Sequence, residues 1–162
     1  MSEMIQLRKA AFADLAFILA LEKRFADLGF LGPDSEPVHA ERFGSPDSAY
    51  FVIERDEQPA GFVILRGLRS TNRSIELKRV AVSEPGQGIG REALRQVIHM
   101  AFDELAAHRL WLDVFSDNHR ARATYRALGF VEEGTLRECV WYDNKFRSLV
   151  LMSMLEEEFR HT

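Results

Sequence analysis

The sequence holds a single cysteine, Cys139, among 162 residues. A lone cysteine excludes an internal disulfide framework and fits a reducing setting, so a cytoplasmic location is expected. A basic excess is missing too: 21 Lys and Arg stand against 25 Asp and Glu, a formal net charge of −4. Nucleic acid is bound through basic surfaces, so no nucleic-acid partner is expected. Long apolar runs are absent. The longest, Leu15–Leu21, falls far short of the roughly 20 residues that cross a bilayer. The opening Met1-Ser2-Glu3-Met4-Ile5-Gln6-Leu7-Arg8-Lys9 has no basic segment followed by an apolar stretch, and no membrane partner is expected. The histidines at 39, 99, 108, 119 and 161 show no ligand spacing, so no metal is expected. No repeat, low-complexity tract or linker divides the chain, and residues 1–162 are taken as a single domain. A chain of this size buries roughly 70% of its unfolded surface and needs no disulfide or metal staple.

What the sequence does contain is a regular succession of apolar patterns. Ile5-Gln6-Leu7-Arg8 alternates with the period of a strand. Phe17, Ile18, Leu21, Phe25 and Leu28 recur at helical spacing, widened by Leu15 and Leu19, with Asp14 at the positive end of the helix. Gly29, Gly32 and Pro33 stop that helix, and a short one is expected around Val38–Phe43. Tyr50–Ile53 and Phe62–Leu65 are strand-like, joined by a turn at Asp56-Glu57-Gln58-Pro59. Ile75–Val82 is a third, longer strand. Leu94, Val97, Ile98, Ala101, Phe102 and Leu105 form an unbroken helical stripe. A strand at Leu110–Phe115 follows, then a helix carrying Ala121, Thr124, Tyr125 and Leu128 that Gly129 ends. Val131–Tyr142 and Phe146–Leu155, with a turn at Asp143-Asn144-Lys145, make a hairpin before a frayed acidic tail. This order implies an α/β (α+β) fold, a mixed sheet with helices on both faces.

Pro85-Gly86-Gln87-Gly88-Ile89-Gly90-Arg91 joins a strand directly to an amphipathic helix. Glycines there let the backbone take positive φ and turn its N–H groups inward. Such a nest at a helix N-terminus suits a pyrophosphate, and equally serves as a bare tight turn. The dinucleotide fingerprint would need glycine where Arg91 stands, and the P-loop signature is absent.

Val80-Ala81-Val82, Gly88-Ile89-Gly90, then Asn118, Ala121, Tyr125, Leu128, Gly129 and Phe130, in this order, resemble the GNAT superfamily of acetyl-CoA-dependent N-acetyltransferases. The likeness runs over residues 50–155. Its closing stretch, Gly129–Arg137, looks most like a branch containing ribosomal-protein N-terminal and spermidine acetyltransferases. The resemblance implies a mostly antiparallel GNAT sheet flanked by helices, with acetyl-CoA as cosubstrate. It places Val80, Ala81, Val82, Gly86, Gln87, Gly88, Ile89, Gly90, Arg91 and Asn118 at that cosubstrate. Pro85 departs from the family signature, which has Arg or Gln there, and the segment from Val82 to Gly88 looks short. Gln87 or the backbone nest itself would have to compensate.

An amine of pKa about 10.4 loses its proton at pH 7 at a cost of roughly 4–5 kcal/mol, so an acetyl acceptor needs a base. The resemblance puts Glu76 in that role, and an exposed strand charge is the equal alternative. It makes Tyr125 the acid that protonates the departing thiolate, with a core tyrosine as the alternative. Asn118 is either a pantetheine ligand or a plain N-cap. A main-chain N–H near Val82 would meet the oxyanion. Arg120 and Arg122 are set aside as solvated helix charges, and Cys139 as an inert core residue. The acceptor is left among a peptide N-terminus, a polyamine and a small amine, taken by a monomer or homodimer. Glu132, Glu133 and Glu138 could receive a cationic acceptor, with specificity in Gly29–Ser48 and the terminal hairpin. A non-catalytic acyl-CoA-binding module is the competing function.

Overall fold

The computed structural model describes residues 3–30 and 34–161; Gly32 and Pro33 lie outside them. In chain order it contains β1 (Ile5–Lys9), α1 (Leu15–Asp27), α2 (Glu36–Gly44), β2 (Ser48–Arg55), β3 (Gln58–Arg66) and β4 (Ser74–Val82). Then come α3 (Ile89–His99), β5 (Arg109–Phe115), α4 (His119–Ala127), β6 (Val131–Tyr142), β7 (Lys145–Leu155) and α5 (Glu156–Arg160). The strands form one sheet in the order β1-β2-β3-β4-β5-β7-β6. Every neighbouring pair is antiparallel except β4 and β5. This is the mixed, mostly antiparallel sheet that the sequence implies.

Alternation along the strands feeds two cores. On one face Leu77, Leu110 and Leu112 meet Leu94, Val97 and Phe102, with Tyr125 and Leu128 of α4 packed against them. On the other, Val52, Phe62, Ile64 and Ala81 meet Leu15, Ile18 and Leu21 of α1. Asp14 does more than face the helix dipole: it accepts from the Ala11 N–H at 2.7 Å and from Arg8 at 2.9 and 3.1 Å.

Several boundaries differ from the sequence pattern for local reasons. The β2–β3 turn is confined to Asp56 and Glu57, both at positive φ, and Pro59 already lies in β3. The stripe through Leu105 is not one α-helix, because Met100–Glu104 widens into a π-helical turn. The acidic tail is not frayed: α5 is held as Phe159 stacks on Phe102 and Arg160 bonds Asp103 and Glu156. Cys139 is exposed on the edge strand β6, not buried in a core.

Gly61 in β3 pairs with Val82 at the tip of β4. A Cβ there would press into the Ala81 carbonyl oxygen and come within 3.0 Å of Val82 Cα and 3.1 Å of Ile53 Cδ1. Gly61→Ala should therefore destabilise the fold by about 1–3 kcal/mol, measured by urea denaturation, because backbone must move to admit the methyl group.

Candidate active site

The two halves of the sheet separate between β4 and β5. Pairing is limited to Ser74 with Arg109, Ile75 with Leu110 and Glu76 with Trp111. Beyond that point β4 stays laddered to β3 and β5 stays laddered to β7, while their facing edges diverge. At the divergence β4 carries a bulge: Leu65 pairs with Leu77 and Ile64 with Arg79, leaving Lys78 unopposed. The opened edges wall a cleft of about 840 Å³. Leu77–Val82 line one side, and Asp113, Val114 and Phe115 the other. Asn118, Ala121, Thr124 and Tyr125 of the β5–α4 segment complete its wall, and Phe25, Leu28 and Phe30 close the end beneath α1.

The glycine bend also lines the cleft, and Arg24 of α1 reaches the Ser83 carbonyl just before it at 2.8 Å. Gly86 and Gly88 take φ of +90° and +80°, values that favour glycine, and Gly88 caps α3. The free N–H groups of the first turn of α3 and its positive dipole end sit beside Arg91 and Arg120, which also line the cleft. The Arg120 guanidinium lies 3.2 Å from where a Gly86 Cβ would stand. Arg120 thus belongs to the site that the sequence reading withheld from it. Arg122 does not: it is tied to Glu132 at 3.1 Å and to the Ser116 carbonyl at 2.7 Å.

Of the residues singled out from sequence, Val80, Ala81, Val82, Gly86, Gly88, Gly90, Arg91, Asn118 and Tyr125 line the cleft. Gln87, Ile89 and Glu76 do not. Gln87 turns to the far side of the bend and accepts from Arg55 at 2.6 Å. Ile89 is buried in the core, where the first turn of an amphipathic helix needs its apolar anchor. Glu76 sits in the paired part of β4, with its carboxylate 3.8 Å from Arg66 Nε. Asn118 Oδ1 caps α4 by accepting from the Ala121 N–H at 3.2 Å, which leaves its amide group at the cleft.

Burial pushes the Tyr125 phenol up to about 12, and the negative charge of Asp113 adds to the shift. Burial lowers the Lys78 ammonium, helped by neighbouring Arg79 and opposed by Glu76, Asp34 and Asp113.

Under α1 lies a buried polar network. Glu22 Oε1 accepts from the Asp34 N–H at 3.1 Å and from His39 Nε2 at 2.8 Å. A carboxylate only accepts, so Nε2 carries that proton, and Nδ1 on the other side of the ring lies 2.7 Å from the Tyr50 hydroxyl. Arg79 Nε lies 3.5 Å from Glu22 Oε2, and Arg42 bonds Asp34 at 2.9 Å. Glu22, Asp34 and His39 bring ligand atoms within 4.8 Å of one another. Two guanidiniums already balance the two carboxylates there, so the charge that would draw a cation is met from within.

The sequence pattern of the acetyltransferase (GNAT) family matches residues 15–130. The chain belongs to that family. A Bacillus subtilis (strain 168) protein provisionally named a ribosomal N-acetyltransferase is 31% identical over 105 residues, 64% of this chain and 57% of that protein. The spermidine N(1)-acetyltransferase of Escherichia coli (strain K12) is 28% identical over 110 residues, 67% of this chain and 59% of the enzyme. The chain thus spans under three-fifths of the length of these curated relatives. A crystal structure of spermidine N-acetyltransferase from Vibrio cholerae, in complex with CoA and spermine, superimposes with a TM-score of 0.86 at 23% identity. That match covers 96% of this chain and 98% of the other, a likeness of fold.

Within this GNAT fold, sequence reasoning overlooked Asp113, Lys78 and Arg147. Asp113 is the one charge in the apolar run Leu110–Phe115, and Lys78-Arg79 breaks the alternation of Ile75–Val82, which is the trace of the bulge. Arg147 left no local signal. It joins three distant segments, bonding the Gly29 carbonyl and Asp117 Oδ1, each at 2.8 Å, and lying 3.6 Å over the Phe115 ring.

Asp113→Asn should lower the Tyr125 pKa, followed by NMR titration of ring-labelled tyrosine, because it removes the charge that opposes the phenolate. Arg147→Ala should cost about 1–2 kcal/mol in thermal or urea unfolding, since the part-buried Gly29 carbonyl and the Phe115 ring lose their partner while the pair with exposed Asp117 adds little.

Proposed function

We propose that the protein transfers the acetyl group of acetyl-CoA to an amine by direct attack within a ternary complex. The observation that carries this reading is the divergence of β4 from β5, with an anion-binding bend at one end and a buried phenol on the wall. The unpaired edges of β4 and β5 offer main-chain groups to an extended, amide-bearing chain such as pantetheine. Gly86, Gly88, Gly90, Arg91 and Arg120 would hold the pyrophosphate and phosphates, and the Asn118 amide the pantetheine. A main-chain N–H of Val80–Val82 would meet the oxyanion.

The proton accounting fixes the remaining roles. The amine nitrogen bonds the acetyl carbon, the carbon–sulfur bond breaks, one proton leaves the nitrogen and one reaches the thiolate. Asp113 accepts the first in this reading, in place of Glu76, because Asp113 faces the cleft and Glu76 faces Arg66. Tyr125 supplies the second. Against a free thiol of about 8.5, a phenol near 12 gives up its proton uphill by about 3.5 units, roughly 5 kcal/mol. A thiolate released into the same desolvated cleft is raised as well, which narrows that gap. A cytoplasmic setting suits an exposed free thiol at Cys139.

Purified protein with acetyl-CoA and a panel of amines should release CoA thiol and add an acetyl mass to the acceptor. Tyr125→Phe should lower kcat about a hundredfold with the KM for acetyl-CoA little changed. CoA binding without transfer to any amine would instead favour the non-catalytic acyl-CoA module. The phenol stays protonated below its raised pKa, so kcat/KM should show no Tyr125-dependent fall below pH about 12.

A further inference from the structure

Most of the acids near this site are already engaged, and exposed Glu138 on β6 and Glu36 and Glu41 on α2 lie outside the cleft lining. Glu22 is bonded to His39 and faces Arg79, and Asp34 is bonded to Arg42. Glu76 faces Arg66. In the terminal hairpin, Glu132 is held by Arg122 and Arg126, and Glu133 by Arg109. An acid whose charge is met inside the protein adds little to the attraction of a cation.

Two charges in the cleft are different. Lys78 occupies the bulge of β4, and Asp113 lies across the divergence on β5. Among the described residues the Lys78 ammonium and the Asp113 carboxylate have no hydrogen bond within 3.5 Å and no ion pair within 4.0 Å. Lys78 is half-buried, and its ammonium is disfavoured by that burial and by Arg79, so an anion placed beside it relieves an existing cost. Asp113 lines the same cleft as Tyr125, and there an incoming ammonium must lose one proton to solvent through Asp113 before it attacks and a second to Asp113 as the carbon–sulfur bond breaks. With Arg91 and Arg120 beside the glycine bend, Lys78 and Asp113 leave a cation and an anion on facing strand edges, which fits an occupant that carries both signs.

On the acetyl-transfer reading above, we propose that the acceptor is a zwitterion: an amine drawn as its ammonium to Asp113 and bearing a carboxylate received by Lys78. This makes the substrate class amino-acid-like and sets it apart from a polyamine, whose every charge would be repelled by Lys78 and Arg79. It also makes Lys78 a specificity determinant, with Arg91 and Arg120 left to the cosubstrate at the glycine bend.

The test uses the full chain, acetyl-CoA, and matched acceptors: free glutamate, aspartate and lysine, the carboxamide of each, and spermidine. The acid member of each pair should lead its amide by about tenfold or more in kcat/KM, and all three acids should lead spermidine. Lys78→Gln should bring acid and amide together by raising the acceptor KM, with the KM for acetyl-CoA unchanged. Lys78→Glu should reverse the order in favour of amides and spermidine. Wild-type preference for spermidine, an acid-to-amide ratio untouched by Lys78→Gln, or a Lys78→Gln defect confined to acetyl-CoA overturns the proposal. Absence of transfer to every amine would strike the acetyl-transfer reading instead. The same panel read by thermal shift with CoA present then decides the Lys78 site. Stabilisation by the acids in wild type but not in Lys78→Gln upholds it, and no such difference overturns it.

Discussion

The structure depends on one backbone constraint: β4 and β5 are parallel neighbours that stay paired over three residues and then part. Buried N–H and C=O groups must find partners, so an opened edge persists only where something else holds both strands and something extended can lie between them. The holding is done from outside the gap. β4 is fixed by its ladder to β3, with Gly61 allowing the closest approach, and β5 by its ladder to β7. Helices α3 and α4 pack on the same core beneath the two strands through side chains such as Leu94, Val97 and Tyr125.

Charge is arranged along this opening in three zones. The glycine bend, the N-terminus of α3, Arg91 and Arg120 make one end suited to phosphate. Beneath α1, Glu22, Asp34, Arg42 and Arg79 cancel among themselves and brace that helix against β4. Lys78 and Asp113 stand on the facing strand edges, and the Asp113 charge adds to the burial that raises the Tyr125 phenol. The acid and the base of the proposed reaction are thereby coupled: an ionised Asp113 favours the proton-bearing form of Tyr125, the pairing that transfer from nitrogen to sulfur requires.

The fold was largely legible because its signals are local. Alternation marked the strands, the 3.6-residue stripe marked α1 and α3, and Gly129, at φ +107°, ended α4 as its sequence position indicates. The glycine bend and Tyr125 were legible for the same reason, each lying in a contiguous motif. Orientation was not. Periodicity places Glu76 on a face of β4 but does not show that the strands are still paired there, or that Arg66 waits opposite. A bulge shifts every later residue to the other face, so the partition of Lys78, Arg79 and Val80 between cleft and helix could not be counted from Ile75. Gln87 and Ile89 illustrate the same limit within a single turn, where adjacent residues point to opposite sides of a bend.

Arg147 and Tyr142 show how the segment after α1 is kept in place without fixing the chemistry of the cleft it lines. Both reach from the terminal hairpin to α1 and both grip main-chain carbonyls: Tyr142 donates to Ala26 and Arg147 to Gly29. Ala26 stands in the last turn of α1 and Gly29 just beyond it, where the Ala26 carbonyl also accepts from the Gly29 N–H at 2.9 Å and a side chain from elsewhere can use its second lone pair. Because the grip is on backbone, it does not depend on which side chains stand at Leu28 and Phe30, the neighbouring residues that line the cleft. Anchoring and recognition are therefore carried by different atoms of the same segment. A fold built this way can exchange the residues that meet the acceptor while the wall that presents them stays where it is.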